Sequence, residues 1–149
     1  MLPIDKTFYS DYFEKPSSSE IYLLSKDVAG KLWDRDIYSE TSCYFDLPEE
    51  CWIVASQRTS LGRWIAAYND GRYREVADLL ETAMTWSKKM TVRFFVNREV
   101  IFQTAWSSFL ENWDDFLTAH DDCPLVIPEA DSAREAVLFT SGSLYKILR

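Results

Sequence analysis

The stretch WSSFLENWDDFL, residues 106–117, decides how this chain is read. Trp106, Phe109, Leu110, Trp113, Phe116 and Leu117 recur at intervals of three and four, the period of one face of an α-helix. The flanking segments follow another period. Upstream, Val92, Phe94 and Val96 alternate with Thr91, Arg93 and Phe95, as in a strand, and Asn97-Arg98 leads into a second strand, Val100-Ile101-Phe102. Downstream, Leu125-Val126-Ile127 and Ala136-Val137-Leu138-Phe139 read as strands. Ser141-Gly142 signals a tight turn into a last strand over 144–148.

Further upstream the signals are helical. Ser25 is a candidate N-cap, with Asp27 in the first turn and Val28, Leu32 and Trp33 as an apolar face ending near Tyr38. A second helix is expected from a cap near Thr59 or Ser60, through Leu61, Trp64, Ile65 and Tyr68, to a stop at Asn69-Asp70-Gly71. A third covers about 72–86, burying Val76, Leu79, Leu80, Ala83 and Met84. Residues 39–51 read as a loop, and 51–55 equally as strand or buried loop. The aromatic segment 5–14 is expected to be an edge strand, broken by Lys15-Pro16-Ser17-Ser18-Ser19. The expected fold is a single α+β domain over 1–149. About four helices pack on one face of a mainly antiparallel sheet of about four to five strands.

Composition bounds the function. The chain has 149 residues, 47% hydrophobic and 27% charged, which excludes a collagen, a coiled-coil rod and wholesale disorder. Its net charge of −8 disfavours nucleic acid and anionic membranes and suits a basic protein partner. The middle of the chain, 61–103, is mildly basic and the two flanking segments carry the negative charge. Three cysteines without a Cys-x-x-Cys spacing argue against a disulfide framework or zinc knuckle and fit a reducing cytosol. No signal peptide or long apolar run is read, so a cytoplasmic location is expected.

No catalytic set stands out. His120-Asp121-Asp122-Cys123 mixes metal-ligand types, but consecutive residues rarely converge on one ion and no second histidine exists. Any Cys–His chemistry would need His120, the sole imidazole. The glycines are too scattered for a phosphate loop. No cofactor is expected, and the chain is not expected to be an enzyme.

The polar back of the 106–117 helix says more. Glu111, Asp114, Asp115 and Thr118 lie opposite the aromatic stripe, and Asp121 and Asp122 follow its end. Acids there face the negative pole of the helix dipole, a locally unfavourable choice. Either they meet a basic partner, or a base of this chain such as Arg93, Arg98 or Arg134 folds against them. Glu49, Glu50 and Trp52 form a second candidate patch, with Trp52 as an exposed anchor.

The run Trp106-x-x-Phe109-x-x-x-Trp113-x-x-Phe116-Leu117, then Asp121-Asp122-x-Pro124-Leu125-x-Ile127, then Ala136-x-x-Phe139-x-x-Gly142, resembles the C-terminal half of a family of small bacterial proteins known only as a domain of unknown function. Weaker likeness extends upstream through Trp86, Val92 and Phe94. The resemblance implies a shared fold and brings no catalytic residues. In kind rather than motif, a small, acidic, aromatic-rich chain is also similar to immunity proteins, which neutralise toxins, many of them nucleases with basic clefts. The leading expectation is therefore an inhibitor or immunity protein that binds a basic toxin domain through Glu111, Asp114, Asp115, Asp121 and Asp122, with Glu49, Glu50 and Trp52 as the second patch. The alternatives are a small hydrolase or metal-dependent enzyme centred on His120, and a homo-oligomeric interaction module.

Overall fold

The computed structural model describes residues 1–130 and 134–149. Its frame is an antiparallel sheet built from β1 (Leu2–Pro3), β2 (Tyr22–Leu23), β3 (Gln57–Arg63), β4 (Thr91–Phe95), β5 (Ile101–Ala105), β6 (Leu125–Pro128), β7 (Glu135–Phe139) and β8 (Ser143–Leu148). The strand order is β1-β2-β5-β4-β6-β7-β8-β3. The helices are α1 (Lys26–Asp36), α2 (Trp52–Ala55), α3 (Ile65–Asp70), α4 (Tyr73–Ala83) and α5 (Trp106–Ala119).

The α+β class expected from the sequence is observed. The sheet is larger than expected, with eight strands among the described residues, and it is covered on both faces rather than one. The reason lies in the strand residues. Phe94, Phe102, Val126, Val137, Phe139 and Leu144 pack with α3, α4 and α5. Their neighbours Phe95, Ile101, Leu125, Ile127, Ala136, Leu138 and Ile147 pack on the other face with α1 and α2. Both sides of these strands are apolar, which is the pattern of a sheet buried on two faces.

Helix α5 keeps the period read from its sequence, and all six stripe residues are buried. Phe116 is central: its ring centroid lies 4.8 Å from Phe94, 5.5 Å from Phe102 and 5.2 Å from Phe109. The Trp113 indole N–H donates to the Tyr73 carbonyl at 2.9 Å, tying α5 to α4. Ser25 caps α1 by accepting from the Val28 N–H, but the buried face of α1 is Ala29, Leu32 and Trp33; Val28 points to solvent. Gly71 closes α3 in the left-handed conformation (φ 72°), as its position after Asn69-Asp70 suggested.

Four other local expectations are corrected. The helix expected from Thr59 begins only at Ile65; 57–63 is strand β3, paired with β8 and almost wholly exposed. Residues 52–55 form one helical turn, neither strand nor loop. Helix α4 ends at Ala83, three residues short. Segment 5–14 is not a strand. It and the following residues form an arm of three 3₁₀ turns (Ile4–Lys6, Ser10–Tyr12 and Pro16–Glu20) that crosses α5 and delivers Tyr9 and Phe13 into the core. Phe13 packs edge-on to Phe116 at 4.9 Å.

Phe116→Ala, which empties the contact point of α5, sheet and arm, is expected to cost about 3–5 kcal/mol. Val28→Ala, at an exposed position, should stay within about 0.5 kcal/mol of wild type. Urea denaturation followed by tryptophan fluorescence measures both.

Candidate functional site

The polar face of α5 is where the sequence put an acidic interface, and the structure gives it another use. The arm lies along it. Thr104, just before α5, donates its hydroxyl to the Glu20 carbonyl at 3.0 Å, and Ser108 donates to the Glu20 carboxylate at 2.7 Å. The Asn112 amide donates to Ser17 Oγ at 2.8 Å. Lys15 Nζ donates to Asp114 Oδ1 at 2.5 Å and sits 3.4 Å from Asp115 Oδ2 and 5.3 Å over the Tyr73 ring. At the far end the Tyr9 hydroxyl and His120 Nε2 share a hydrogen bond of 2.8 Å. The α5 residues in these contacts fall at helical spacing, so one short arm meets them in turn.

Asp114 is therefore buried and paired within the chain. The compensating base is Lys15. Arg93 bonds instead to Gln103 and Glu129, and Arg98 to Asp34 in a two-pronged pair. Among the described residues, Arg134 makes no ion pair with α5 either. Asp115 is partly buried, and one lysine serves two carboxylates. Burial first, and then the neighbouring Asp114 charge, push the Asp115 carboxyl up to about 6, against the pull of Lys15. The signal for this arrangement was present in Lys15-Pro16-Ser17-Ser18-Ser19. That run supplies the cation and, in Ser17, a hydroxyl that the polar face of α5 needs.

The other acids divide. Glu111, Asp121 and Asp122 are exposed. Asp121 and Asp122 directly follow His120, whose ring lies against Tyr9 and Phe102 at 5.4 and 6.3 Å. Burial lowers the imidazole pKa, opposed by Asp122 and Asp121. The Tyr9–His120 bond fixes the 3₁₀ turns of the arm beside this acidic end. On those turns Asp5, Asp11 and Tyr12 are exposed, and Phe8 is 81% exposed with its ring 4.7 Å from Tyr9. Phe8 belongs to the aromatic segment 5–14, and the edge strand expected there gives it no role as an anchor.

The second patch lies on the opposite face of the sheet. Glu49 and Glu50 are exposed, and Glu50 accepts from the Tyr38 hydroxyl at 3.0 Å. Trp52 is not an exposed anchor. Its indole N–H donates to the Asp36 carbonyl at 2.8 Å, the Arg149 guanidinium covers its ring at 5.1 Å, and it packs on the α1 side of the core. Phe45, 70% exposed, is the open aromatic of this region.

Two of the three thiols are poorly placed for nucleophilic chemistry. Cys51 and Cys123 are buried, and desolvation pushes both thiols up. Among the described residues, no three His, Cys, Asp or Glu side chains converge to hold a metal ion. Among the same residues, no helix is long and apolar enough to cross a membrane.

A protonated Asp115 is favoured in the folded chain, so the fold binds more protons than the unfolded chain between about pH 4 and 6. The Asp115 contribution to stability is present at low pH and is lost as pH rises through about 6. Asp115→Asn, which imitates the protonated acid, should gain about 1–1.5 kcal/mol relative to wild type at pH 7.5 compared with pH 5. Denaturation of both proteins across that range reads the difference, and a gap independent of pH would contradict it. Changes at His120 are common to both proteins and cancel.

Comparison with known proteins places the chain in a family and adds no chemistry. The chain belongs to the family described as a protein of unknown function (DUF2947), whose model matches residues 12–147. No curated protein and no solved structure matches.

Proposed function

We propose that this member of the DUF2947 family is a protein-binding module of the inhibitor or immunity type. It engages a basic partner, such as a toxin domain, through the acidic and aromatic surface at the C-terminal end of α5. The observation that carries the reading is Phe8, 81% exposed yet held on a turn, its ring tilted against Tyr9, whose hydroxyl bonds His120 at the Asp121–Asp122 end of the helix. A large aromatic left in solvent on a fixed backbone costs solubility and gives a partner a preorganised anchor. The exposed carboxylates Asp5, Asp11, Asp121 and Asp122 supply a negative surround, which steers a cationic partner and speeds its capture. A nuclease cleft evolved for phosphate is one such surface.

The proposed interface is revised in its residues. Asp121 and Asp122 stay, Glu111 is peripheral, and Asp114 and Asp115 hold the arm instead of a partner. Glu49 and Glu50, with Phe45, form a separate surface across the sheet. The metal-dependent alternative draws no support from the described residues, since His120 is engaged by Tyr9 and no ligand set surrounds it.

The test is capture from source-cell extract at low and high salt. The expected result is a stoichiometric basic protein that is retained by wild type at low salt and released as salt rises. Phe8→Ala and Asp122→Lys should each weaken capture at least about tenfold. Glu49→Lys, across the sheet, should leave it unchanged. Equal loss in all three variants, or no basic partner at either salt, would refute the proposal.

A further inference from the structure

A cleft of about 330 Å³ opens where the end of β3 and the start of α3 meet the β7–β8 turn and the turn after α5. It is lined by Arg63, Trp64, Ile65, Asp121, Ser141 and Gly142. Its charges are opposite and are not spent on each other. Among the described residues neither Arg63 nor Asp121 makes an ion pair, although each lines the same small space. An arginine and an aspartate that line one cleft without pairing to each other present both halves of a dipolar ligand's complement.

The walls are fixed. Trp64 is 5% exposed; its indole N–H donates to the Thr140 carbonyl at 3.0 Å and its backbone N–H to the Gly142 carbonyl at 3.0 Å. Arg63 reaches over the turn, with Nη1 3.5 Å from Ser143 Oγ. Gly142 makes room for it. Gly142 has φ 93°, and a Cβ there would meet Arg63 Nη2 at 2.7 Å and Ile65 at 3.1 Å. The bare turn is therefore what lets the guanidinium lie against it, beside an apolar floor of Trp64 and Ile65.

We propose that this cleft binds a free α-amino acid as a zwitterion, its carboxylate on Arg63, its ammonium on Asp121 and its side chain on Trp64 and Ile65. The volume is at the small end of ligand pockets and suits a metabolite of this size. Both charged side chains reach solvent, so affinity is weak, with Kd on the order of 0.1–1 mM. The site is independent of the partner reading except for the shared Asp121.

The test is ¹⁵N–¹H NMR of the full chain. The Trp64 indole resonance is assigned by Trp64→Phe, and the standard L-amino acids are titrated singly. Saturable shifts of the Trp64 indole and the Gly142 amide are expected with at least one small apolar amino acid. The N-acetyl and the carboxamide derivatives of that amino acid should each bind at least about tenfold more weakly, as should the parent on Arg63→Gln and on Asp121→Asn. Phe8→Ala and Asp122→Lys should bind it as wild type does, which separates this site from the partner surface. Absence of saturable shifts with every amino acid up to about 10 mM would overturn the proposal. So would N-acetyl derivatives binding as well as the parents, since that would make the cleft a general anion site.

Discussion

Helix α5 is enclosed on two sides, and the rest of the fold answers to that constraint. Its aromatic stripe fills the space above β4, β5, β6 and β7. Its other face carries Ser108, Asn112 and Asp114, all buried. Polar groups taken out of water cost free energy unless they are bonded, and a lone buried carboxylate costs most. The arm resolves this. Lys15 bonds the aspartates, Ser17 accepts from the Asn112 amide N–H and Glu20 from the Ser108 hydroxyl, and Tyr9 and Phe13 bring apolar surface with them; Asn112 Oδ1 alone on this face stays buried without a partner among the described residues. Acids near a helix C-terminus, unfavourable on the dipole argument alone, are acceptable once a lysine is placed among them.

That arrangement explains what could be read along the chain. Helix α5, the Ser25 cap, the Gly71 stop and the β7–β8 turn depend on local period and local turn chemistry, so a window of a few residues contains them. Strand β3 does not. Its side chains are mostly polar and exposed, and it exists through backbone pairing with β8, 80 or more residues away. Leu61, Trp64, Ile65 and Tyr68 mimic a helical stripe across a boundary where strand gives way to helix. The arm is the extreme case. It has no period of its own, and its shape is set by bonds such as Lys15–Asp114, 99 residues apart in sequence.

The same logic governs the candidate surfaces. Exposure of Glu111, Asp121 and Asp122 followed from their polar positions on and after the helix. Burial of Asp114 depended on a distant lysine, and coverage of Trp52 on the last residue of the chain. What remains outward at the end of α5 is an acidic rim and a fixed phenylalanine, with a small amphoteric cleft nearby at the β7–β8 turn. The polar bonds of the arm hold its first turns in place, so any binding by Phe8 draws on the order that Lys15 and Tyr9 impose.

The measurement closest to this account is a double-mutant cycle on Lys15 and Asp114, using Lys15→Met, Asp114→Asn and the pair, each unfolded in urea at pH 7.5. If the arm is held as described, Lys15→Met leaves buried Asp114 without its cation, Asp114→Asn leaves Lys15 with Asp115 alone, and the coupling between the two changes is about 1 kcal/mol or more. Additive effects, with coupling within about 0.5 kcal/mol of zero, would mean that the lysine does not hold the arm to the helix.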